Sequence, residues 1–180
     1  ESILESMGDD MVVMLLYVNQ DAVIIGKNQN PWKEANIPWL AGHGIPLVRR
    51  ISGGGTVWHG PGNLNFSFVG PQKSVRKEEN LDFICRSLVP LGLILAPNER
   101  GDLLCSGKKV SGNAYCHRKH RTLHHGTLLV DEDLVVLKTA LDTSWNKTHD
   151  IQGGGVSSVR SSVTRLSDHC TASMSCIAGA

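Results

Sequence analysis

The residues best suited to ligand binding or catalysis lie together between Arg49 and Phe68, in the stretch RRISGGGTVWHGPGNLNFSF. Arg50 and Ser52 precede three consecutive glycines, and His59 follows them after a short apolar step. Because glycine has no Cβ atom, the N–H groups of such a loop can lie directly against a phosphate or carboxylate. An adjacent arginine can donate two parallel hydrogen bonds to the same anion. The stretch therefore predicts an anion-binding loop rather than a flexible turn.

Two common phosphate-binding motifs do not match this loop. A Walker A loop would end in Gly-Lys-Ser or Gly-Lys-Thr, and neither follows the glycines. A dinucleotide fingerprint would lead directly into a helix, whereas here the chain returns to an alternating strand pattern. Apolar side chains recur on one face of that strand, at Leu64, Phe66 and Phe68. The loop is thus expected to lie between two strands.

Hydrophobic periodicity and turn residues predict the elements that position this loop. Strands are expected at 11–18, 22–26, 64–68, 93–96, 102–105, 109–111 and 124–130. The first of these is a continuous apolar run and is predicted to be buried. Helices are expected at 78–91 and from Asp131–Asp133 to Leu141. Strands interleaved with a few helices indicate an α+β (mixed α/β) fold, and the polar, glycine-rich segment 142–158 is predicted to be mobile.

Composition narrows the class of protein. With 180 residues, 41% of them hydrophobic, the chain is expected to form a single domain, residues 1–180. A net charge of +1 gives no argument for nucleic acid or an anionic membrane as a partner. The longest apolar run, Met11–Val18, is too short to span a bilayer. The five cysteines include no Cys-x-x-Cys pair, which indicates reduced thiols and a cytoplasmic protein.

Five motifs, in order along the chain, resemble those of the lipoate–protein ligase A family. They are AVIIGKNQNPWKEAN, RRISGGGTVWH, GKKVSGNAY, LHHGTLLVDEDL and SVRSSVTRLSD, and the resemblance runs from about Val12 to Asp168. It implies the catalytic domain that this family shares with biotin protein ligase, a mixed sheet flanked by helices that resembles the core of class II aminoacyl-tRNA synthetases. It also implies a two-step reaction. Lipoate and ATP form lipoyl-AMP and pyrophosphate, and the lipoyl group then passes to a lysine of a carrier domain.

The resemblance implies roles for individual residues as well. It selects Lys109 rather than Lys108 as the essential cation, which lies between the lipoate carboxylate and the α-phosphate and removes their repulsion. Strand alternation is consistent with this choice, since the two lysines point to opposite faces. Arg50 is expected to bind phosphate, and Asp102 to hold Mg²⁺. Substrate or nucleotide contacts are further implied for Ser52, Gly53, Gly54, Gly55, Thr56, Val57, Trp58, His59, Ser111, Gly112, His125 and Gly126.

Several positions keep a second interpretation. Val57 and Trp58 are also compatible with core positions, and Asp102 with a plain turn aspartate. Gly60 and Pro61 replace the acidic and then apolar residues usual in the family after the histidine. The histidines between 117 and 125 match no standard zinc spacing, so no metal site is predicted there.

The implied carriers are the acyltransferase subunits of 2-oxoacid dehydrogenases and the glycine-cleavage H protein. Longer family members continue into a small accessory domain, so either a separate partner protein or a longer chain is expected. Two other functions stay open. An octanoyltransferase would need an activated thiol, for which Cys170 and Cys176 are candidates, although the RRxSGGG segment is of the ligase type. A protein that binds lipoate or lipoyl-adenylate without turnover is disfavoured by the presence of Lys109.

Overall fold

The computed structural model describes residues 2–6, 8, 10–148 and 153–180. Its strands are β1 (Val13–Val18), β2 (Ala22–Ile25), β3 (Leu47–Arg49), β4 (Val57–His59), β5 (Asn63–Pro71), β6 (Leu95–Pro97), β7 (Leu103–Cys105), β8 (Lys108–Ser111), β9 (Asn113–Arg118) and β10 (Arg121–Leu129). Its α-helices are α1 (Ser2–Ser6), α2 (Ile37–Gly42), α3 (Lys77–Leu88), α4 (Leu134–Ala140) and α5 (Met174–Ala178).

The largest sheet contains four antiparallel strands in the order β1-β5-β10-β9. In its centre β5 pairs with β10, where Phe66 lies opposite Gly126. A Cβ atom at Gly126 would lie 2.5 Å from the Phe66 ring, so a side chain does not fit at this position. His125 precedes Gly126 in β10 and lies at the centre of the sheet, opposite Ser67 of β5.

Two three-stranded sheets complete the framework. β2 pairs in parallel with β3 and antiparallel with β4, so the glycine-rich loop that joins β3 to β4 must cross the end of β2. β6, β7 and β8 form an antiparallel sheet. Its β7–β8 turn is at Ser106 and Gly107, both with positive φ. Together with the flanking helices, these sheets confirm the predicted α+β fold.

The prediction that residues 11–18 form a buried strand is wrong in its burial. The strand forms, but β1 lies at the edge of the large sheet and pairs only with β5 among the strands described. Met14, Leu16 and Val18 are between 38% and 45% exposed. An apolar run therefore predicted the strand correctly, whereas its position in the sheet decided its exposure.

Both predicted helices form close to their expected bounds. α3 is followed by a 3₁₀ turn at Val89–Leu91, and Gly92 ends it with a φ of +78°. α4 begins after Asp133, whose carboxylate accepts hydrogen bonds from the N–H groups of Val135 and Val136. The main core packs α3 against β5, β7 and β10 through apolar side chains that include Phe66, Ile84, Leu88, Leu103 and Leu128.

β9 and α5 are among the elements that were not predicted. β9 has the sequence NAYCHR, which shows no clear apolar alternation, and it forms because β10 offers it a pairing edge. α5 is a single short helix capped by Ser173. None of the helices in the described part of the chain is long and apolar enough to cross a membrane.

Candidate active site

The glycine-rich loop between β3 and β4 wraps around the guanidinium group of Arg50. Arg50 Nη2 donates to the carbonyl oxygens of Gly53 (2.6 Å) and Gly55 (2.7 Å), and its Nε donates to Ser52 Oγ (3.1 Å). Gly54 has a φ of +89°, which side-chain-bearing residues rarely adopt. Burial lowers the pKa of Arg50 to about 10, so the group stays charged at neutral pH. Arg50 thus shapes the loop, and its contact with a phosphate stays a prediction.

Two histidines lie beside this loop in neutral form. Ser52 Oγ is 2.6 Å from Nε2 of His125, and the amide nitrogen of Asn19 is 2.8 Å from Nδ1 of His59. Burial and the nearby charge of Arg50 lower the pKa of each histidine to about 4. Around pH 7 both side chains are therefore uncharged hydrogen-bonding groups.

Lys109 forms an ion pair with Asp102. The Nζ atom of Lys109 lies 2.8 Å from Oδ1 of Asp102, and both side chains are largely buried. The preceding residue, Lys108, is exposed, as strand alternation predicts. A Cβ atom at Gly112 would lie 3.2 Å from both Cε and Nζ of Lys109, so the glycine leaves room for the lysine side chain. The sequence motif GKKVSG thus contains both the cation and the space that it needs.

A hydrogen-bonded loop at 98–102 holds Asp102. The side-chain oxygen of Asn98 accepts hydrogen bonds from the N–H groups of Arg100 and Asp102, both at 3.0 Å. Nδ2 of Asn113 donates to the carbonyl oxygen of Gly101 at 2.8 Å. In the described part of the chain no group of three His, Cys, Asp or Glu side chains could hold a metal ion. A Mg²⁺ ion at Asp102 would therefore depend largely on substrate phosphate oxygens for its ligands, which is a usual arrangement for this ion.

Two cavities meet at Lys109. The first has a volume of about 560 Å³, and apolar side chains dominate its wall, among them Trp58, Leu129, Leu134 and Leu137. The second has a volume of about 490 Å³ and a more polar lining. The walls of both include Thr56, Val57, Lys109, Gly112, Thr127, Ser158 and Val159. A ligand with two parts could therefore fill both cavities with its reactive centre at Lys109.

The two cavities bring most of the predicted site residues together. The second cavity is lined by Arg50, Gly54, Gly55, His59, Asp102, His125 and Gly126, and the first by Trp58 and Ser111. Among the predicted residues, all of which the structure describes, Ser52 and Gly53 line neither of these two cavities. Ser52 is instead buried in contact with Arg50 and His125.

Trp58 belongs to the core and to the wall of the first cavity at once. Its side chain is buried with Val23 and Leu40, whereas the preceding Val57 faces both cavities. The carboxylate of Glu132 lies beside the Trp58 indole, and both its oxygens would be 2.7 Å from a Cβ atom at Gly60. The departure from the family pattern at Gly60 thus makes room for a buried carboxylate, whose pKa is raised by burial.

Residues 153–158 are bound across the site, and sequence reasoning missed the residues that bind them. Ser158 Oγ accepts hydrogen bonds from the N–H of Thr56 (2.8 Å) and from Nε2 of Gln29 (2.9 Å), and it donates to the carboxylate of Glu34. The N–H of Val156 donates to the carbonyl oxygen of Asn28. Of the segment predicted to be mobile, 149–152 lie outside the described residues. Gln29, Glu34 and Ser158 all belong to motifs recognised in the sequence, which was the available signal.

Two further histidines, His117 and His124, have structural partners. His124 is buried, with Nδ1 2.9 Å from the amide nitrogen of Asn80 and Nε2 3.0 Å from the amide oxygen of Asn113. Its ring stacks on Tyr115 at a centroid distance of 4.2 Å. Burial lowers the pKa of His124 to about 3. Nδ1 of His117, on β9, lies 2.9 Å from the hydroxyl of Thr122. His124 thus helps to hold Asn113, and through it the loop at 98–102.

Comparison with known proteins shows the family to which this fold and site belong. The chain belongs to the family of lipoyl protein ligase A/B catalytic domains, whose sequence model matches residues 1–177. The chain is similar to lipoate-protein ligase A of Bdellovibrio bacteriovorus, with 37% identity over 172 residues, 93% of this chain and 50% of that protein. It is 40% identical over 153 residues to a putative lipoate-protein ligase A of Schizosaccharomyces pombe, covering 84% of this chain and 41% of that one. The chain thus spans about half the length of these curated relatives.

Solved structures show the same fold. A lipoate-protein ligase A bound with ATP superimposes with a TM-score of 0.82 and 26% identity over 99% of this chain and 73% of that one. A putative lipoate protein ligase of Thermoplasma acidophilum with bound lipoic acid gives a TM-score of 0.81 and 27% identity, with the same coverage of both chains. A bi-partite lipoate protein ligase, from a study of that ligase and its E2 lipoyl domain in the same organism, gives 0.82 and 28% identity over 99% and 71%. These similarities confirm the fold and family expected from the motifs.

Proposed function

We propose that this chain forms the adenylate-forming domain of a lipoate–protein ligase, which activates lipoate with ATP and transfers the lipoyl group to a lysine of a carrier domain. One observation carries the proposal: the ammonium group of Lys109, oriented by Asp102, lies where two cavities meet. Adenylate formation brings a carboxylate against an anionic α-phosphate, and a fixed cation between them stabilises the transition state.

The linings of the two cavities suggest which substrate each one holds. The nucleotide base would occupy the first cavity, between the apolar side chains and the backbone of Thr56 and Val57. The acyl chain would occupy the part of the second beside His59 and His125, which are neutral at pH 7, and the phosphates the part beside Lys109, Asp102 and Arg100. Neutral histidines add no charge to a pocket for an apolar chain. The bound ATP and lipoic acid of the two similar structures support this pair of substrates.

The first step follows from this placement. A carboxylate oxygen of lipoate attacks the α-phosphorus, the bond from that phosphorus to the bridging oxygen of the β-phosphate breaks, and pyrophosphate leaves with the electron pair. Lys109 reduces the repulsion between the two anions as they approach. The glycine loop excludes side chains from the α-phosphate, and Arg50 keeps that loop in shape. Asp102 would hold Mg²⁺, which supplies further positive charge at the phosphates when it is bound.

The second step requires a carrier. The E2 lipoyl domain studied together with the Thermoplasma ligase supports a lipoyl domain as the acceptor. Because that ligase is bi-partite, it also supports a separate accessory polypeptide for this chain. We extend the acceptors to the acyltransferase subunits of 2-oxoacid dehydrogenases and to the glycine-cleavage H protein. In the reaction, the ε-amine of the carrier lysine attacks the acyl carbon, AMP leaves, and the amine loses a proton.

One observation disfavours the octanoyltransferase. None of the cysteines, all of which lie in the described residues, lines either of the two cavities. Cys170 packs against the main core, and Cys176 lies in α5. A thioester to a cysteine would thus have to form away from Lys109.

Mass spectrometry of a lipoyl domain tests the proposal. The domain is incubated with this protein, lipoate, ATP and Mg²⁺, with and without a candidate accessory protein, while pyrophosphate release is measured in parallel. We expect pyrophosphate release from the chain alone, and a lipoyl mass increase on the carrier that is slow until an accessory protein is added. Binding of lipoate without pyrophosphate release would indicate a non-catalytic binder. Modification from octanoyl carrier protein without ATP would indicate the transferase.

A further inference from the structure

Three cations line the second cavity among the described residues: Arg50, Arg100 and Lys109. Arg50 donates its hydrogen bonds to the glycine loop, and Lys109 is placed for the α-phosphate. Arg100 has no part in either task. It approaches the other oxygen of the Asp102 carboxylate, with Nη2 3.6 Å from Oδ2, whereas Lys109 approaches Oδ1. One carboxylate thus sets two positive groups side by side on the cavity wall.

Arg100 is not needed to hold its own loop. The side chain of Asn98 already accepts hydrogen bonds from the N–H groups of Arg100 and Asp102, and Asn113 donates to the carbonyl oxygen of Gly101. At 3.6 Å the guanidinium is too far from the carboxylate for a hydrogen bond, and its other contact, to Ser161 Oγ, is long at 3.3 Å. Its side chain is 49% exposed, and such exposed ion pairs contribute little to stability. The loop at 98–102 therefore does not need the Arg100 side chain for its structure, and it holds this side chain at the cavity wall.

We propose that Arg100 binds the pyrophosphate leaving group during adenylate formation, an inference that rests on the proposed function. When the bond between the α-phosphorus and the bridging oxygen breaks, negative charge grows on the β-phosphate. A guanidinium group can donate two parallel hydrogen bonds to such a phosphate. Lys109 then serves the α-phosphate, and Arg100 the phosphates that leave.

The reverse reaction tests this assignment without a carrier protein. Purified chain is given lipoyl-AMP, Mg²⁺ and increasing pyrophosphate, and the formation of ATP is measured. Binding of lipoyl-AMP alone is measured by calorimetry. Arg100→Ala is expected to raise the KM for pyrophosphate at least about tenfold, the effect of losing a hydrogen bond to a charged group, and to change the Kd of lipoyl-AMP less than twofold. The KM of Arg100→Lys for pyrophosphate is expected to lie between those of the wild type and Arg100→Ala. Arg86→Ala, which removes an exposed arginine paired with Asp82 on α3, is the matched control.

Each outcome decides the proposal. A rise in the pyrophosphate KM with an unchanged Kd for lipoyl-AMP supports it. An unchanged KM in Arg100→Ala, or an equal loss of affinity for lipoyl-AMP, would overturn it while leaving the proposed function intact. A wild-type chain that binds lipoyl-AMP and forms no ATP would overturn the adenylation reaction itself, and the role of Arg100 with it.

Discussion

The side chains of Lys109 and Asp102 are 2.8 Å apart, Nζ to Oδ1, and the pair lies where the two cavities meet. The sequence suggested two separate tasks for them, a catalytic cation and a metal ligand. Their contact shows that the carboxylate first of all orients the ammonium group. Any change at one of the two residues is therefore expected to disturb the other.

Lys109→Ala is expected to slow formation of lipoyl-AMP by about 10²–10³-fold, as expected when a preorganised charged group is lost from an active site. Pyrophosphate release is the measurement. Lys108→Ala, at the exposed neighbouring position, is the control and should react at the normal rate. Because Asp102 loses its partner, a modest fall in thermal stability is also expected. Near-normal pyrophosphate release from the Lys109 variant would refute its role.

Gly54→Val is expected to weaken the binding of ATP or lipoate at least about tenfold, or 1.4 kcal/mol. The glycine has a φ of +89°, and a Cβ atom there would lie 2.9 Å from Nη2 of Arg50. Some stability should be lost too, since a strained backbone costs about 1–3 kcal/mol. Gly53→Val is the matched control, because no atom lies within 4 Å of its Cβ position. Equal affinities of both variants and the wild type, measured by calorimetry, would restore the interpretation of a flexible turn.

Ser158→Ala is expected to speed amide hydrogen exchange in residues 153–163 by at least about tenfold, because the segment loses hydrogen bonds worth about 1 kcal/mol each. These are the contacts of Ser158 Oγ with Thr56, Gln29 and Glu34. The exposed Ser157→Ala is the control. Lipoyl-AMP is expected to increase protection across 142–158 in the wild type. Exchange that responds to neither the substitution nor the adenylate would contradict this view.

The free energy of unfolding is expected to fall as the pH is lowered from 7 to 5. His59 has a pKa of about 4 in the folded state, against 6.5 for a free histidine, so between these values the unfolded chain binds more protons. The pKa shift of His59 is expected to lower the free energy of unfolding by about 1–2 kcal/mol at pH 5 relative to pH 7. Urea unfolding at both pH values should show a smaller loss in His59→Gln than in the wild type. The exposed His120→Gln should behave like the wild type, and an identical pH dependence in all three would refute the assignment.

The sequence alone determined the features that depend on neighbouring residues. Asp133 could be recognised as the cap of α4, and Ser106-Gly107 as the turn between β7 and β8, because both signals are local. The ordered motifs indicated the family and pointed to Lys109. Strand alternation also separated this residue from the exposed Lys108.

The tertiary structure alone decided what depends on distant partners. In the folded protein, the Arg50 side chain points into the glycine-rich loop, one face of β1 is exposed at a sheet edge, and the carboxylate of Asp102 contacts Lys109. Gln29 and Ser158 are 129 positions apart, yet their hydrogen bond holds residues of the late motif over the cavities. The residue pattern of the sequence does not predict such pairs. Each side chain takes its direction from the packing of strands that meet only in the folded protein.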